Sequence, residues 1–213
     1  MTAIDVYLDL TCPYSYLAFL RVQDVAKRNG ASVNWHPVLV ERVLETENPA
    51  LAESRLDPLA TKAAWQRQDI DLWANYWGIK LDIPVDWPYT AEAASRGALL
   101  AIHQGQGVAY LEQAFRMVFE QGKSLNDDES LASLASNAGM KGEEFTVALQ
   151  DEDLHKRLQV NARDLIRRGG FGTPTMYVGE RMYFGNDHIT LVEWDVGPVS
   201  DTSFVAPGQH GAA

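Results

Sequence analysis

The sequence predicts an α/β protein whose single small sheet is interrupted by a large all-helical insertion. Three observations predict it. The opening alternates strand, helix and strand; the stretch from Leu59 to about Ile166 carries helical periodicity without a clear strand; and two short strands and a helix follow.

The elements justify themselves in order. Residues 3–8, Ala-Ile-Asp-Val-Tyr-Leu, are rich in β-branched and aromatic side chains and read as a strand. In Asp9-Leu10-Thr11-Cys12-Pro13-Tyr14-Ser15-Tyr16, proline is favoured at the first position of a helix, which puts Cys12 at the N-cap. Leu17, Leu20, Val25 and Ala26 recur at helical spacing, and Asn29-Gly30 closes the helix. Residues 32–40 form a second strand, with Pro37 marking an edge or a bulge. A β-α-β order favours a parallel pair joined by a right-handed crossover.

Residues 44–57 are polar and proline-containing and read as irregular. Helical windows follow at 59–77, 90–105, 107–121, 127–138, 142–150 and 151–167. Thr175–Val178, Gly179-Glu180 and Arg181–Phe184 spell strand, tight turn and strand, with a short helix beginning near Asp187. The expected organisation is a sheet domain from 1–43 and 168–196, a helical insertion from 44–167, and a loose Gly, Pro, Ala and Ser-rich tail from 197–213.

Composition bounds the function. The chain has 213 residues, 46% hydrophobic and 22% charged, with a formal net charge of −11. A nucleic-acid backbone or an anionic membrane surface needs clustered cations, so neither is expected as a partner. The first nine residues lack a basic region and a long apolar run, and no stretch reaches the roughly 20 apolar residues of a membrane span. One cysteine forms no internal disulfide and suits a reducing, cytoplasmic setting. His36, His103, His155, His188 and His210 show no metal-ligand spacing, so no metal is expected, and no Gly-x-Ser-x-Gly or P-loop pattern appears.

Chemistry concentrates at Cys12. A thiol at the first turn of a helix meets unsatisfied backbone N–H groups and the positive end of the helix dipole. Both favour the thiolate, and helix-start cysteines can fall from about 8.5 to roughly 3.5–7.5. The competing reading is an inert cysteine that ends a strand.

Asp9-Leu10-Thr11-Cys12-Pro13-Tyr14-Ser15-Tyr16-Leu17-Ala18 resembles the opening of the DsbA-related branch that holds kappa-class glutathione transferases and 2-hydroxychromene-2-carboxylate isomerases. Cys12 stands where that family has a catalytic serine, and Ser15 where a Cys-x-x-Cys motif has its second cysteine. Phe171-Gly172-Thr173-Pro174-Thr175 is similar to the family's Phe-Gly-Val-Pro-Thr, and Tyr183-Phe184-Gly185-Asn186-Asp187 to its aromatic-Gly-Asn/Ser-Asp. Lys62, Trp65, Asp69, Trp73 and Ala74 follow its Lys-x-x-Tyr-x-x-x-Asp-x-x-Arg-Trp-Ala pattern, with Leu72 in place of the arginine.

The resemblance implies a thioredoxin-like, DsbA-like fold, a cis Pro174 facing Cys12, glutathione as cofactor and a homodimer. It implies that Cys12 is catalytic and that Thr173 and Pro174 pair with the cysteinyl part of glutathione. Asn186 and Asp187 would hold its γ-glutamyl end, and Lys62 and Asn48 other parts of it. Tyr14, Ser15, Trp87 and Arg96 are expected to line the substrate pocket, with Arg96 clamping a carboxylate. The leading expectation is a glutathione-dependent isomerase acting on a small aromatic-derived conjugated keto acid. The alternatives are a monothiol thiol-disulfide oxidoreductase, a kappa-like transferase, or a non-catalytic binding module.

Overall fold

The computed structural model describes residues 2–56 and 60–197. The chain opens with β1 (Ala3–Leu8), α1 (Pro13–Asn29) and β2 (Ser32–Pro37). The insertion follows as α2 (Val40–Glu47), α3 (Pro49–Leu56), α4 (Ala60–Tyr76), α5 (Glu92–His103) and α6 (Gly107–Phe119), then α7 (Asp128–Asn137), α8 (Gly142–Ala148) and α9 (Glu152–Arg167). It closes with β3 (Thr175–Val178), β4 (Arg181–Phe184), a 3-10 turn at Asn186–His188 and α10 (Ile189–Val196).

The sheet order is β2-β1-β3-β4. β1 is parallel to β2, with Val6 opposite Trp35, and antiparallel to β3, with Val6 opposite Met176; β3 and β4 form the hairpin. Side chains alternate across β1, as a strand requires. Ile4, Val6 and Leu8 face the larger core, with Phe19, Val22 and Val25 of α1 and Ile189 and Val192 of α10. Tyr7 faces the other way, onto Val43 of α2, Ala162 and Leu165 of α9 and Tyr177 of β3. The end of the insertion therefore returns to cover the sheet's second face. The Tyr7 hydroxyl donates to Asp164, while Arg168 pairs with Asp5 at 2.9 Å and its guanidinium lies 3.8 Å from the centre of the Tyr177 ring.

α1 is helical for reasons visible in its residues. Pro13 presets the first turn, Tyr16, Phe19 and Val22 bury one stripe, and Lys27 and Arg28 oppose the negative end of the dipole. Gly30 ends it at φ 63, a left-handed conformation that glycine adopts without a Cβ penalty.

Two expectations need correcting. Residues 44–57 are not irregular as far as the structure describes them: α2 and α3 occupy 40–47 and 49–56. The second strand stops at Pro37 instead of running to 40, and it is an edge strand. The tail expected over 197–213 lies outside the described residues except for Gly197.

Candidate active site

The loop between β1 and α1 is shaped by a buried carboxylate. Asp9 Oδ1 accepts from the Thr11 amide at 2.6 Å and the Thr11 hydroxyl at 2.7 Å, and its Oδ2 accepts from the Val40 amide at 2.8 Å. One side chain thus folds the approach to α1 and supplies the first turn of α2 with an acceptor, because Leu39 at that N-cap position has no side-chain oxygen. Cys12 follows as the N-cap of α1, at φ −96 and ψ 113, with Pro13 after it.

The thiol faces the far end of the chain. Cys12 Sγ donates to the Thr173 carbonyl at 3.4 Å, and the Thr173–Pro174 peptide is cis, as the resemblance implied. The Thr173 and Ser15 side chains face the same sulfur. Cys12 is half-buried, with protein packed around its thiol. Burial, aided by the negative charge of Asp9, pushes the thiol above its ordinary value, against the weaker pull of the neighbouring Ser15 hydroxyl and amide. The thiolate expected from the helix dipole alone is therefore not the resting state. Because only the thiolate is alkylated, iodoacetamide should modify Cys12 more slowly than free cysteine at neutral pH, with the rate rising only at a more alkaline pH than free cysteine requires. A rate at neutral pH equal to that of free cysteine would contradict this environment.

Around the thiol stand groups from three other segments. The Tyr14 hydroxyl donates to Asp69 of α4 at 2.7 Å, and Tyr14 is held protonated by burial and by that carboxylate. Cys12 and Asp187 both lie within electrostatic reach of Tyr14. Trp87 Nε1 donates to the Thr11 carbonyl at 2.7 Å, which lays the indole beside the cysteine loop; its peptide to Pro88 is also cis. The 3-10 turn packs against α1 and brings Asn186 and Asp187 alongside. Asn186 is 3% exposed with an unpartnered Nδ2, and Thr173 is 8% exposed with an unpartnered hydroxyl. Buried polar atoms are nearly always hydrogen-bonded, so these two orphans fit a polar ligand such as a peptide.

The remaining expected residues are placed less directly. Lys62 is exposed on α4, two turns before Asp69 and on the same face. Asp69 meets Tyr14, and Trp77 just past α4 meets Arg21, so α4 runs beside α1 in the same direction. Its N-terminal half, with Lys62, accordingly projects beyond Cys12. Asn48 is exposed at the end of α2, and Arg96 is half-buried on α5; no contact joins Lys62 or Arg96 to Cys12 among the described residues. Ser15 is a correction: it is fully buried, its oxygen 3.3 Å from the donating Asp9 amide, so it supports the thiol and offers no surface to a substrate.

A cleft of about 370 Å³ opens beside the Trp87–Pro88 loop, walled by Leu44, Pro49, Ala52, Pro88 and Tyr89. A groove of about 320 Å³ between α2 and α9 contains none of the expected site residues. Sequence reasoning gave no role to Asp9, Thr11 or Asp69, although all three fall inside the family motifs. Asp9 and Thr11 carried a local signal, since an aspartate two residues before an N–H is the pattern of an Asx-turn.

The fold and the thiol set opposite cis-Pro174 define a class, and comparison with known proteins agrees. The chain belongs to the DSBA-like thioredoxin domain family, whose model matches residues 3–196. It is 28% identical over 199 residues to 2-hydroxychromene-2-carboxylate isomerase of Pseudomonas putida, covering 91% of this chain and 94% of the relative. It is 23% identical over 206 residues to glutathione S-transferase kappa 1 of Caenorhabditis elegans, covering 89% of this chain and 88% of the relative. A solved 2-hydroxychromene-2-carboxylate isomerase superposes with a TM-score of 0.80 at 26% identity, over 91% of this chain and 93% of that one. No helix among the described residues is long and apolar enough to cross a membrane.

Proposed function

We propose that this protein is a glutathione-dependent isomerase acting on an aromatic-derived conjugated keto acid. The observation that carries the reading is the Cys12 thiol, kept protonated and pointed at the carbonyl that precedes cis-Pro174. A protonated thiol there is a hydrogen-bond donor, the role a serine hydroxyl fills in the resembling family. When bound, glutathione supplies a sulfur nucleophile that adds reversibly to the conjugated double bond, allowing rotation before it leaves.

The chain's own residues hold and orient. The Thr173 backbone pairs with the cysteinyl unit as one strand pairs with another. Cys12 turns its S–H from the Thr173 carbonyl to the incoming sulfur and holds it in line with the substrate. Asp187 takes the γ-glutamyl ammonium, and the orphaned Asn186 amide takes the neighbouring carboxylate. Lys62 and Asn48 serve the peptide's other end. Tyr14 and Trp87 wall the flat substrate and exclude water, and Arg96 is its candidate carboxylate partner. The same reading places the protein in the cytoplasm, where glutathione is reduced, as a homodimer.

The monothiol redox reading requires a nucleophilic thiolate, which burial and Asp9 disfavour. The deciding assay follows ring-opened chromene carboxylate spectrophotometrically with and without glutathione. Interconversion is expected only with glutathione, and equal turnover in its absence overturns the proposal.

A further inference from the structure

We propose that His188 is a positioning residue for Asp187, and that protonating it weakens capture of an amine-bearing ligand at that carboxylate. The inference rests on the glutathione reading above and deepens it. Gly185 adopts φ +94, and a Cβ built there would collide with Asp187 Oδ1 and come within 4.0 Å of His188 Nδ1. Both side chains are therefore folded over the same backbone hollow, which only glycine leaves open. His188 Nδ1 stands 3.3 Å from Asp187 Oδ1, is closed off from solvent, and has no well-aligned hydrogen-bond partner. The Asp187 side chain is still 54% exposed, so the carboxylate is fixed from behind and open in front.

The charges facing this pair are few. From α1 the nearby titratable groups are Cys12 and Tyr14, both held protonated by burial, and Tyr14 is already tied to Asp69 of α4. The first turn of α10, capped by His188, carries no acid. Among the described residues, His188 is the side chain able to become a cation that pairs with Asp187.

Histidine is the side chain whose charge changes between about pH 5 and 8. A neutral imidazole packs behind the carboxylate and leaves its charge to a ligand ammonium. A protonated imidazole pairs with it and competes. For a part-exposed ion pair the effect on affinity is about two- to fivefold.

Calorimetry of reduced glutathione binding between about pH 5.5 and 7.5 tests this, because the ligand's own groups do not titrate in that window. Wild-type affinity should rise about two- to fivefold with pH, with proton release on binding seen as a dependence on buffer ionisation enthalpy. His188→Gln should bind with little pH dependence, and a glutathione analogue lacking the α-amino group should show none with either protein. An equal slope in wild type and His188→Gln overturns the proposal. So does tighter binding at low pH, which would assign the imidazole to a ligand carboxylate. No binding to the wild type at any pH sinks the glutathione reading and this inference with it; the other two outcomes sink the inference alone.

Discussion

Cys12→Ala should lower glutathione-dependent turnover about 10²–10³-fold, while Cys12→Ser should stay within about tenfold of the wild type. The asymmetry follows from the protonation state. Burial and the nearby Asp9 keep the sulfur as S–H, so its contribution is a donor at a fixed point opposite Thr173, and a serine hydroxyl replaces that donor with a stronger one. Alanine leaves a buried polar carbonyl facing nothing and an incoming sulfur with no donor. The measurement is kcat/KM at saturating glutathione for the three proteins. A serine variant as inactive as alanine would show that the reaction needs sulfur chemistry at residue 12, and the isomerase mechanism would have to be abandoned.

Asp9→Ala carries the largest expected cost in stability, about 3–5 kcal/mol by denaturant titration. The side chain is 3% exposed and accepts three hydrogen bonds, from the Thr11 amide, the Thr11 hydroxyl and the Val40 amide. Alanine strands all three buried donors. Asp9→Asn should cost roughly half as much, because its amide oxygen can still serve Thr11 while its NH₂ is turned against the Val40 N–H. The asparagine variant also removes a negative charge that raises the Cys12 pKa, so its thiol should alkylate faster at neutral pH. A loss below about 1 kcal/mol for the alanine variant would mean that water replaces the carboxylate and that the loop is not organised by it.

The pattern of success and failure in the sequence follows the range of the interactions. β1, α1 and the β3–β4 hairpin were legible because their signals are local: β-branched runs, proline at a helix start, Gly179-Glu180 between two short strands. α2 was not, since its N-cap is Leu39 and the acceptor that stabilises its first turn comes from Asp9, far back in the chain. The break at Asn48-Pro49 between two short helices further disguised it. Cys12 was legible, but its protonation state was left open for the same reason. Neighbours in sequence supply the dipole, whereas burial and the Thr173 carbonyl are supplied by segments the chain reaches much later. Ser15 looked like a substrate contact by position and is sealed by packing that no spacing rule announces.

The pairing of β1 with β3, Ile4 opposite Val178, has a consequence for biosynthesis. At translation rates of about 5–20 residues per second, the first strand waits on the order of 10–30 s for its antiparallel neighbour to leave the ribosome. Until then one flank of β1 lacks a mate and Cys12 has no carbonyl opposite it. A nascent chain stalled before the hairpin would carry a sticky, unprotected edge, which makes completion of synthesis the step that both quenches aggregation and creates the active centre.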